Sequence, residues 1–267
     1  MTPSLLLMLA VIAATWDAWR WYLHRIATAP EEGAALVLTI ALMLALAWRD
    51  RASRLDKPVA ALPLWTTSLL LVLYASSFGA LPPIGRAALA IPAALLCLYA
   101  GLSGRRPPLA FWGLVALSLP VLPSLQFTLG YGLRLVSAAL TVVLLRAQGL
   151  DVARQGTFLV WRSEMLQFDA PCSGVNMLWA GLLVALMGAL ALNLGRVRTA
   201  LVVAASIALT LAGNVLRATS LFFVETGRIA SLPSWGHEAV GIAAFLMAAA
   251  GLLWTLHRLE PARSMAP

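Results

Sequence analysis

The chain has 267 residues, of which 61% are hydrophobic and only 11% are charged, and its formal net charge is +8. This composition excludes an ordinary soluble domain. A bilayer core about 30 Å thick needs roughly 20 apolar residues per helix, so the recurring apolar runs predict an all-α polytopic membrane protein. Positive charge collects in the cytoplasmic loops of such proteins, so the basic balance does not indicate a nucleic-acid partner.

Eight apolar runs have about the length of a membrane span. They lie at 4–22, 33–48, 60–79, 86–102, 109–122, 175–194, 199–219 and 238–256. The first run lacks the basic start and the small-residue cleavage site of a signal peptide, so we expect it to be a retained span. No soluble domain or internal repeat interrupts the pattern, and residues 1–267 are therefore predicted to form a single integral membrane domain.

Basic clusters between the runs predict the orientation of the chain. They lie at 48–58, 104–108, 195–198 and from 257 to 263. If all four face the cytoplasm, the N-terminus does so as well. Residues 1–123 then form the N-terminal spans, residues 124–174 lie on the extracytoplasmic side, and residues 175–257 form the last helices.

This orientation leaves no crossing for the apolar segment 130–149. One helical face carries only apolar side chains: Leu133, Val136, Leu140, Val143 and Leu144. The other face carries polar side chains: Arg134, Ser137, Thr141 and Gln148. This periodicity predicts an amphipathic helix that lies in the membrane interface. The alternative is that the segment spans the bilayer and that one basic loop lies outside.

The following segment, 150–171, has the weakest helical pattern in the chain. Apolar and polar residues mix, and Gly156 interrupts them, which is typical of short strands such as a hairpin. We expect these strands to lie outside the hydrocarbon, because open sheet edges are not tolerated in lipid. The loop 123–174 is also expected to cover a functional site and to help select its substrate.

Three polar residues far apart in the chain are predicted to converge at that surface. A helix of about 20 residues after Gly174 spans roughly 30 Å, and the basic turn at 195–198 reverses the chain. The next helix returns Arg217 to the outer surface, and His237 begins the last inward helix. Cys172, which precedes the first of these helices, therefore lies at the same level as Arg217 and His237.

The three side chains form a plausible set for nucleophilic acyl transfer. Neighbouring cations stabilise a thiolate, and a Cys–His pair can form a thioester through a tetrahedral intermediate. His237 would move the proton, and Arg217 carries five donors that suit an oxyanion. Taken singly, Cys172 could be an ordinary interfacial thiol, Arg217 could reach lipid headgroups or pair with Glu225, and His237 could be a helix-start residue.

Three further residues are candidates for support or substrate binding. Asn214 lies three residues before Arg217 on the same side of the helix, where it could hold a substrate amide, orient Arg217 or pack polar helices together. Ser173 is a cap or a donor beside the thiolate, and Gly174 would let a substrate backbone approach closely. Three acidic residues remain open as partners of His237: Asp169, Glu225 and Glu238.

These residues belong to three motifs that resemble the exosortase/archaeosortase family in identity, order and spacing. The motifs are APCSG (170–174), GNVLR (213–217) and HEAVGIAAF (237–245), and the resemblance covers roughly residues 60–257. It implies a membrane cysteine transpeptidase or protease with Cys172 as nucleophile, Arg217 as the orienting cation and His237 as general acid/base. Pro171 departs from the small residue that the family commonly has before the cysteine, which leaves the subfamily and the recognition motif open.

The resemblance also implies partners and a location. The substrates would be proteins that end in a short recognition motif, one transmembrane helix and a basic tail. They would be cleaved through a thioester on the extracytoplasmic face of a bacterial inner membrane, among membrane lipids. Neither a metal nor another cofactor is expected, because the two cysteines and three histidines form no ligand cluster and no Gly-rich phosphate loop occurs.

Two other classes of function remain open from the residues alone. A transporter or channel would carry charged side chains or broken helices at mid-membrane, whereas these spans are nearly free of charge. A thiol-dependent acyltransferase would use the same cysteine to move a lipid or acetyl group. The mass of a trapped thioester adduct would distinguish a peptide from a lipid acyl group.

Overall fold

The computed structural model of the protein describes residues 3–49, 61–104, 106–162, 164–167, 174–229, 233 and 235–260. The helices are α1 (Pro3–Ala14), α2 (Trp16–Thr28), α3 (Pro30–Arg49), α4 (Ala61–Ser76), α5 (Pro83–Ser103), α6 (Leu109–Leu117), α7 (Leu122–Ala147), α8 (Val175–Ala191), α9 (Arg196–Glu225) and α10 (Gly236–Leu259). The strands are β1 (Val152–Gln155), β2 (Phe158–Trp161) and β3 (Glu164–Gln167). The chain divides into a first unit, Met1–Val121 with Ala189–Arg196, and a second unit, Leu122–Gly188 with Val197–Pro267.

Four of the described helices are long and apolar enough to cross a bilayer: α5, α7, α9 and α10. A fifth span is formed if α2 and α3, which meet at an angle of 114°, count as one broken helix pair. The chain is therefore a multi-pass membrane protein, but the predicted eight spans are not confirmed. Helices α4 and α8 are apolar but shorter, and α6 has only nine residues.

The predicted span 4–22 is divided into α1 and α2 at Thr15. This residue has φ −110° and ψ 20° and lies outside both helices. Its hydroxyl donates to the carbonyl of Val11 at 2.7 Å and accepts the indole N–H of Trp19 at 3.1 Å. Such local hydrogen bonds by a threonine compete with the regular helix ladder, and the hydropathy of the segment does not reveal the break.

In the first unit, α5 is the central helix. Its alanines at 87, 90, 93 and 94 are buried, and these small side chains let the neighbouring helices approach closely. The helix begins at Pro83 and ends at Gly104, which has φ +61° and donates its N–H to the carbonyl of Ala100 at 3.0 Å. Cys97 is buried on this helix, as its apolar surroundings in the sequence predict.

The segment predicted to form an interfacial helix, 130–149, belongs to a helix that is also long and apolar enough to cross a bilayer. These residues lie in and just beyond α7, a helix of 26 residues. Its polar stripe is directed into the protein, since Ser137 and Thr141 are fully buried and Ser137 accepts a hydrogen bond from Asn214 of α9 at 2.9 Å. Contact with a partner helix therefore accounts for the polar residues at the middle of this amphipathic pattern.

The strands predicted after α7 are present, and they number three. They form an antiparallel sheet in the order β1-β2-β3. One face of the sheet is apolar and packs on the ends of α7 and α9; its core consists of Ala138, Val142, Leu145, Leu150, Val152, Leu159, Trp161, Ala218 and Phe222. Each strand is only four residues long, so this packing rather than strand pairing alone stabilises the sheet.

Small residues also bring α8, α9 and α10 together in the second unit. A methyl group at Gly213 would lie 3.1 Å from the backbone oxygen of Ala244 and 3.1 Å from the Cε of Met177. A methyl group at Gly181 would collide with the side chain of Thr210. Close approach through glycine is typical of membrane helix pairs, and here it brings the three helices that carry the candidate site side by side.

Candidate active site

Helix α9 begins at the basic residue Arg196 and places Arg217 about one bilayer thickness from it. The helix has 30 residues, about 45 Å at 1.5 Å per residue, whereas a hydrocarbon core is about 30 Å thick. Arg196 and Arg217 are separated by about 32 Å along it. The last two turns continue beyond Arg217 and bring Phe222 against Trp161 of the sheet, with ring centroids 5.8 Å apart.

Asn214 holds the entry to α8 in place. Its side chain is buried and donates through Nδ2 to the hydroxyl of Ser137 at 2.9 Å. Gly174, the residue before α8, has φ +75°, and a Cβ there would lie 2.9 Å from both Cγ and Nδ2 of Asn214. Glycine is therefore required at 174 by both the left-handed backbone and the close approach of the Asn214 amide.

The side chain of Arg217 lies against the backbone of α10 at Gly241. A Cβ at Gly241 would be 3.2 Å from Nε and 3.7 Å from Cζ of Arg217. Gly241 follows His237 by four residues, so both lie on the same face of α10. This glycine therefore makes room for the guanidinium one turn from the residue that carries the imidazole.

His237 is paired with Glu225. Its Nε2 lies 2.9 Å from Oε1 of Glu225, and both side chains are about half exposed, at 49% and 50%. Glu225 is the last residue of α9, and His237 is the second residue of α10, so the pair joins the ends of the two helices. Of the three carboxylates left open by the sequence, Glu225 makes this contact, Glu238 is exposed, and Asp169 lies outside the described residues.

The predicted site residues within the described part of the chain all lie in the second unit. Gly174 and Asn214 touch each other, while Arg217 packs against Gly241, four residues after His237 on α10. Cys172 and Ser173 lie outside the described residues. Ser137, which holds Asn214, was not predicted as a site residue; its only signal in the sequence is its place in the polar stripe of α7.

The comparisons with known proteins agree with the motifs. The model of a protein family described as transmembrane exosortase matches residues 29–254, which is nearly the whole chain. The matched range includes most of each unit and all the candidate site residues. No curated protein and no solved structure matches the chain.

Proposed function

Since this chain belongs to the transmembrane exosortase family, we propose that it is a membrane-embedded cysteine transpeptidase or protease that cleaves proteins at a C-terminal sorting signal. The observation that carries the proposal is the junction of α9 and α10, where the Arg217 guanidinium packs at Gly241, one turn from the His237–Glu225 pair. Its substrates would carry a recognition motif, one transmembrane helix and a basic tail.

The position of Gly174 supports Cys172 as the nucleophile. Two residues of chain span at most about 7 Å, so covalent geometry keeps Cys172 close to Gly174. Gly174 in turn contacts Asn214, and Asn214 precedes Arg217 by three residues on α9, which puts both on one side of that helix. The proposed nucleophile therefore comes two residues before a glycine that contacts the helix carrying Arg217.

The count of membrane crossings supports an extracytoplasmic position for the proposed site. Helix α6 has nine residues, about 14 Å, which is too short to cross a bilayer. Helix α7 provides the crossing that the sequence pattern placed at 109–122. Whether the crossing is made by 109–122 or by α7, the chain crosses the membrane once between the basic loop 104–108 and Gly174. If that basic loop is cytoplasmic, Gly174 is on the extracytoplasmic side.

In the proposed reaction, a bond from sulfur to the substrate carbonyl carbon forms, and the scissile C–N bond then breaks. His237 takes the thiol proton, and the Cys172 sulfur attacks the carbonyl carbon of the scissile peptide bond. Arg217 stabilises the negative charge that develops on the carbonyl oxygen. The C–N bond then breaks, His237 protonates the leaving amine, and an amine or water resolves the thioester. With Nε2 held by Glu225, Nδ1 is the nitrogen available for proton transfer.

A trapped acyl-enzyme would test this function directly. The protein, purified in detergent with a peptide substrate that contains a sorting signal, is expected to gain the mass of the N-terminal substrate fragment on Cys172. Hydroxylamine should remove this adduct, as it cleaves thioesters. A fatty-acyl or acetyl mass on the same sulfur would instead identify an acyltransferase, and a processed substrate with no adduct on Cys172 would contradict the thioester.

Glu225 is expected to position His237. Glu225→Gln removes the carboxylate that fixes the ring, so kcat should fall about 10- to 100-fold, less than the full contribution of an acid–base catalyst, because the pair is half exposed. KM should be nearly unchanged. Glu238→Gln, next to His237 but exposed, is the matched control and should keep the wild-type kcat. An equal fall in kcat in the two variants would mean that kcat depends on negative charge near the site and not on the contact between Glu225 and His237.

The outer edge of β3 is the proposed binding site for the recognition motif of the substrate. β3 lies at the edge of the described sheet and ends at Gln167, five residues before Cys172. An extended peptide can add to such an edge through backbone hydrogen bonds, and an extended substrate would then run toward the nucleophile. On the outward face of the sheet, Ala153, Val160 and Met165 lie in register across the three strands.

Substitutions at Met165 and Ala153, the two ends of the row of side chains across the sheet, test whether the substrate binds at the edge of β3. Met165 is 55% exposed on β3, and Met165→Asp should raise KM about tenfold, since it puts a charge beside the docked peptide, while Cys172 stays equally reactive toward a maleimide. Ala153→Asp makes the same outward-facing charge on β1, away from that edge, and should leave KM unchanged. A larger effect at Ala153 than at Met165 would assign recognition to the opposite edge of the sheet.

A further inference from the structure

The first unit contains an open cleft that the proposed reaction does not use. It has a volume of about 450 Å³ and lies between α2 and the start of α5. Its lining consists of Asp17, Arg20, Trp21, His24, Pro83 and Arg86. Four of these six residues precede residue 29, where the family match begins.

Positive charge exceeds negative charge in this cleft. The single carboxylate of Asp17 pairs with two guanidinium groups, those of Arg86 and of Arg20, the latter at 3.5 Å. Arg86 is largely buried, with a side chain only 18% exposed that also packs over the ring of Phe78 at 4.8 Å. One carboxylate cannot neutralise two arginines, so the cleft keeps a net positive charge.

Two features of the cleft favour an anionic ligand. The Nε of Arg86 is buried and has no hydrogen-bond partner among the described residues, and a buried donor without a partner is costly. The cleft also includes Pro83, the first residue of α5. The N-terminal end of a helix dipole is positive, so the start of α5 adds to the positive potential of the cleft. Both the guanidinium of Arg86 and this helix end stabilise an anion.

Helix α2 has the character of a helix at a membrane surface. Ala18 and Tyr22 are buried on one side, while Arg20 and His24 are exposed on another. Trp16 is 56% exposed on the same helix, and tryptophan is enriched at the level of lipid headgroups. The chain before α5 adds exposed apolar side chains at Phe78 and Leu81. The cleft thus presents cations beside an apolar surface that acyl chains can contact.

We propose that this cleft binds the phosphate of an anionic phospholipid headgroup. Arg86 and Arg20 contact the phosphate oxygens, as the planar guanidinium suits bidentate recognition of phosphate. The start of α5 adds the positive end of its helix dipole, and the acyl chains follow the apolar surface at Phe78 and Leu81. Because α2 and α5 both supply the charges, the bound lipid ties the surface helix to the central helix of the first unit.

Native mass spectrometry of the purified full-length protein tests this site without any readout of processing. The protein is titrated with phosphatidylglycerol, and Arg20→Gln and Arg86→Gln are each expected to weaken the tightest binding event about tenfold, the loss of one charge-assisted contact. Arg20 is 74% exposed, so its substitution leaves the fold intact. Arg25→Gln, on the same helix but outside the cleft lining, makes the same charge change and should bind like wild type.

Two further ligands separate the possible sources of the phosphate. Zwitterionic phosphatidylcholine is expected to bind at least about tenfold more weakly than phosphatidylglycerol, and inorganic phosphate at millimolar concentration is expected not to displace the lipid. Equal binding of the two lipids would overturn the anionic headgroup, and displacement by inorganic phosphate would overturn the lipid. Equal losses in the Arg20, Arg86 and Arg25 variants would show a general charge effect and would overturn the cleft as the site.

Discussion

Cys172→Ala and Cys172→Ser are each expected to abolish processing of a substrate with a C-terminal sorting signal. The thiolate supplies the bond that replaces the scissile peptide bond, and loss of a nucleophile costs at least about a thousandfold in kcat. Serine keeps the size of the side chain, but its hydroxyl is a much weaker nucleophile in a site arranged for a thiolate. The measurement is the ratio of processed to unprocessed substrate when each variant is co-expressed with a tagged substrate.

The other cysteine of the chain is the matched control. Cys97 is buried in α5 in the first unit, and Cys97→Ala should keep the wild-type rate. Each variant is also checked for insertion by the amount of full-length protein in the membrane fraction. If Cys172→Ala processes the substrate as fast as Cys97→Ala, Cys172 is not the nucleophile, although the chain belongs to the family.

Replacing Arg217 by glutamine is expected to lower kcat/KM about 100- to 1000-fold, the usual loss when one donor to a developing oxyanion is removed. Lysine should not rescue more than a small part of this rate, because it lacks the planar fork of donors. Arg228→Gln is the control, since Arg228 belongs to the same unit and lies over the ring of Trp161 at 5.1 Å. Full activity of the lysine variant would show that only the positive charge at position 217 is needed, and not the planar guanidinium.

A pair of glycine substitutions on α10 tests the same role without removing the arginine. Gly241→Ala puts a methyl group 3.2 Å from Nε of Arg217, so it should displace the guanidinium and lower kcat about tenfold or more. Gly251→Ala puts a methyl group 3.1 Å from the Cδ2 of Leu209, a flexible apolar end that can move. Both changes favour the helix equally. Activity that falls equally in the two variants would indicate a general packing defect.

Much of the second unit can be predicted from the sequence because its signals are local. The apolar runs at 199–219 and 238–256 correspond to α9 and α10, and the mixed pattern at 150–171 indicates strands. The eight-span count is not confirmed in the first unit, and one reason is equally local. The Thr15 hydroxyl breaks the run 4–22, and hydropathy averaged over a window is insensitive to one side chain that competes for backbone hydrogen bonds.

The sequence by itself determined that this chain lies in a membrane and that its motifs are those of its family, because composition and motif spacing are properties of the chain alone. Only the tertiary structure decided that the polar face of α7 is directed at Asn214, that Glu225 is the carboxylate on His237, and that Gly241 admits Arg217. Each of these depends on which side chains of other helices come within about 3 Å. An amphipathic period reports that a face needs a polar environment, but protein and headgroups satisfy it equally well.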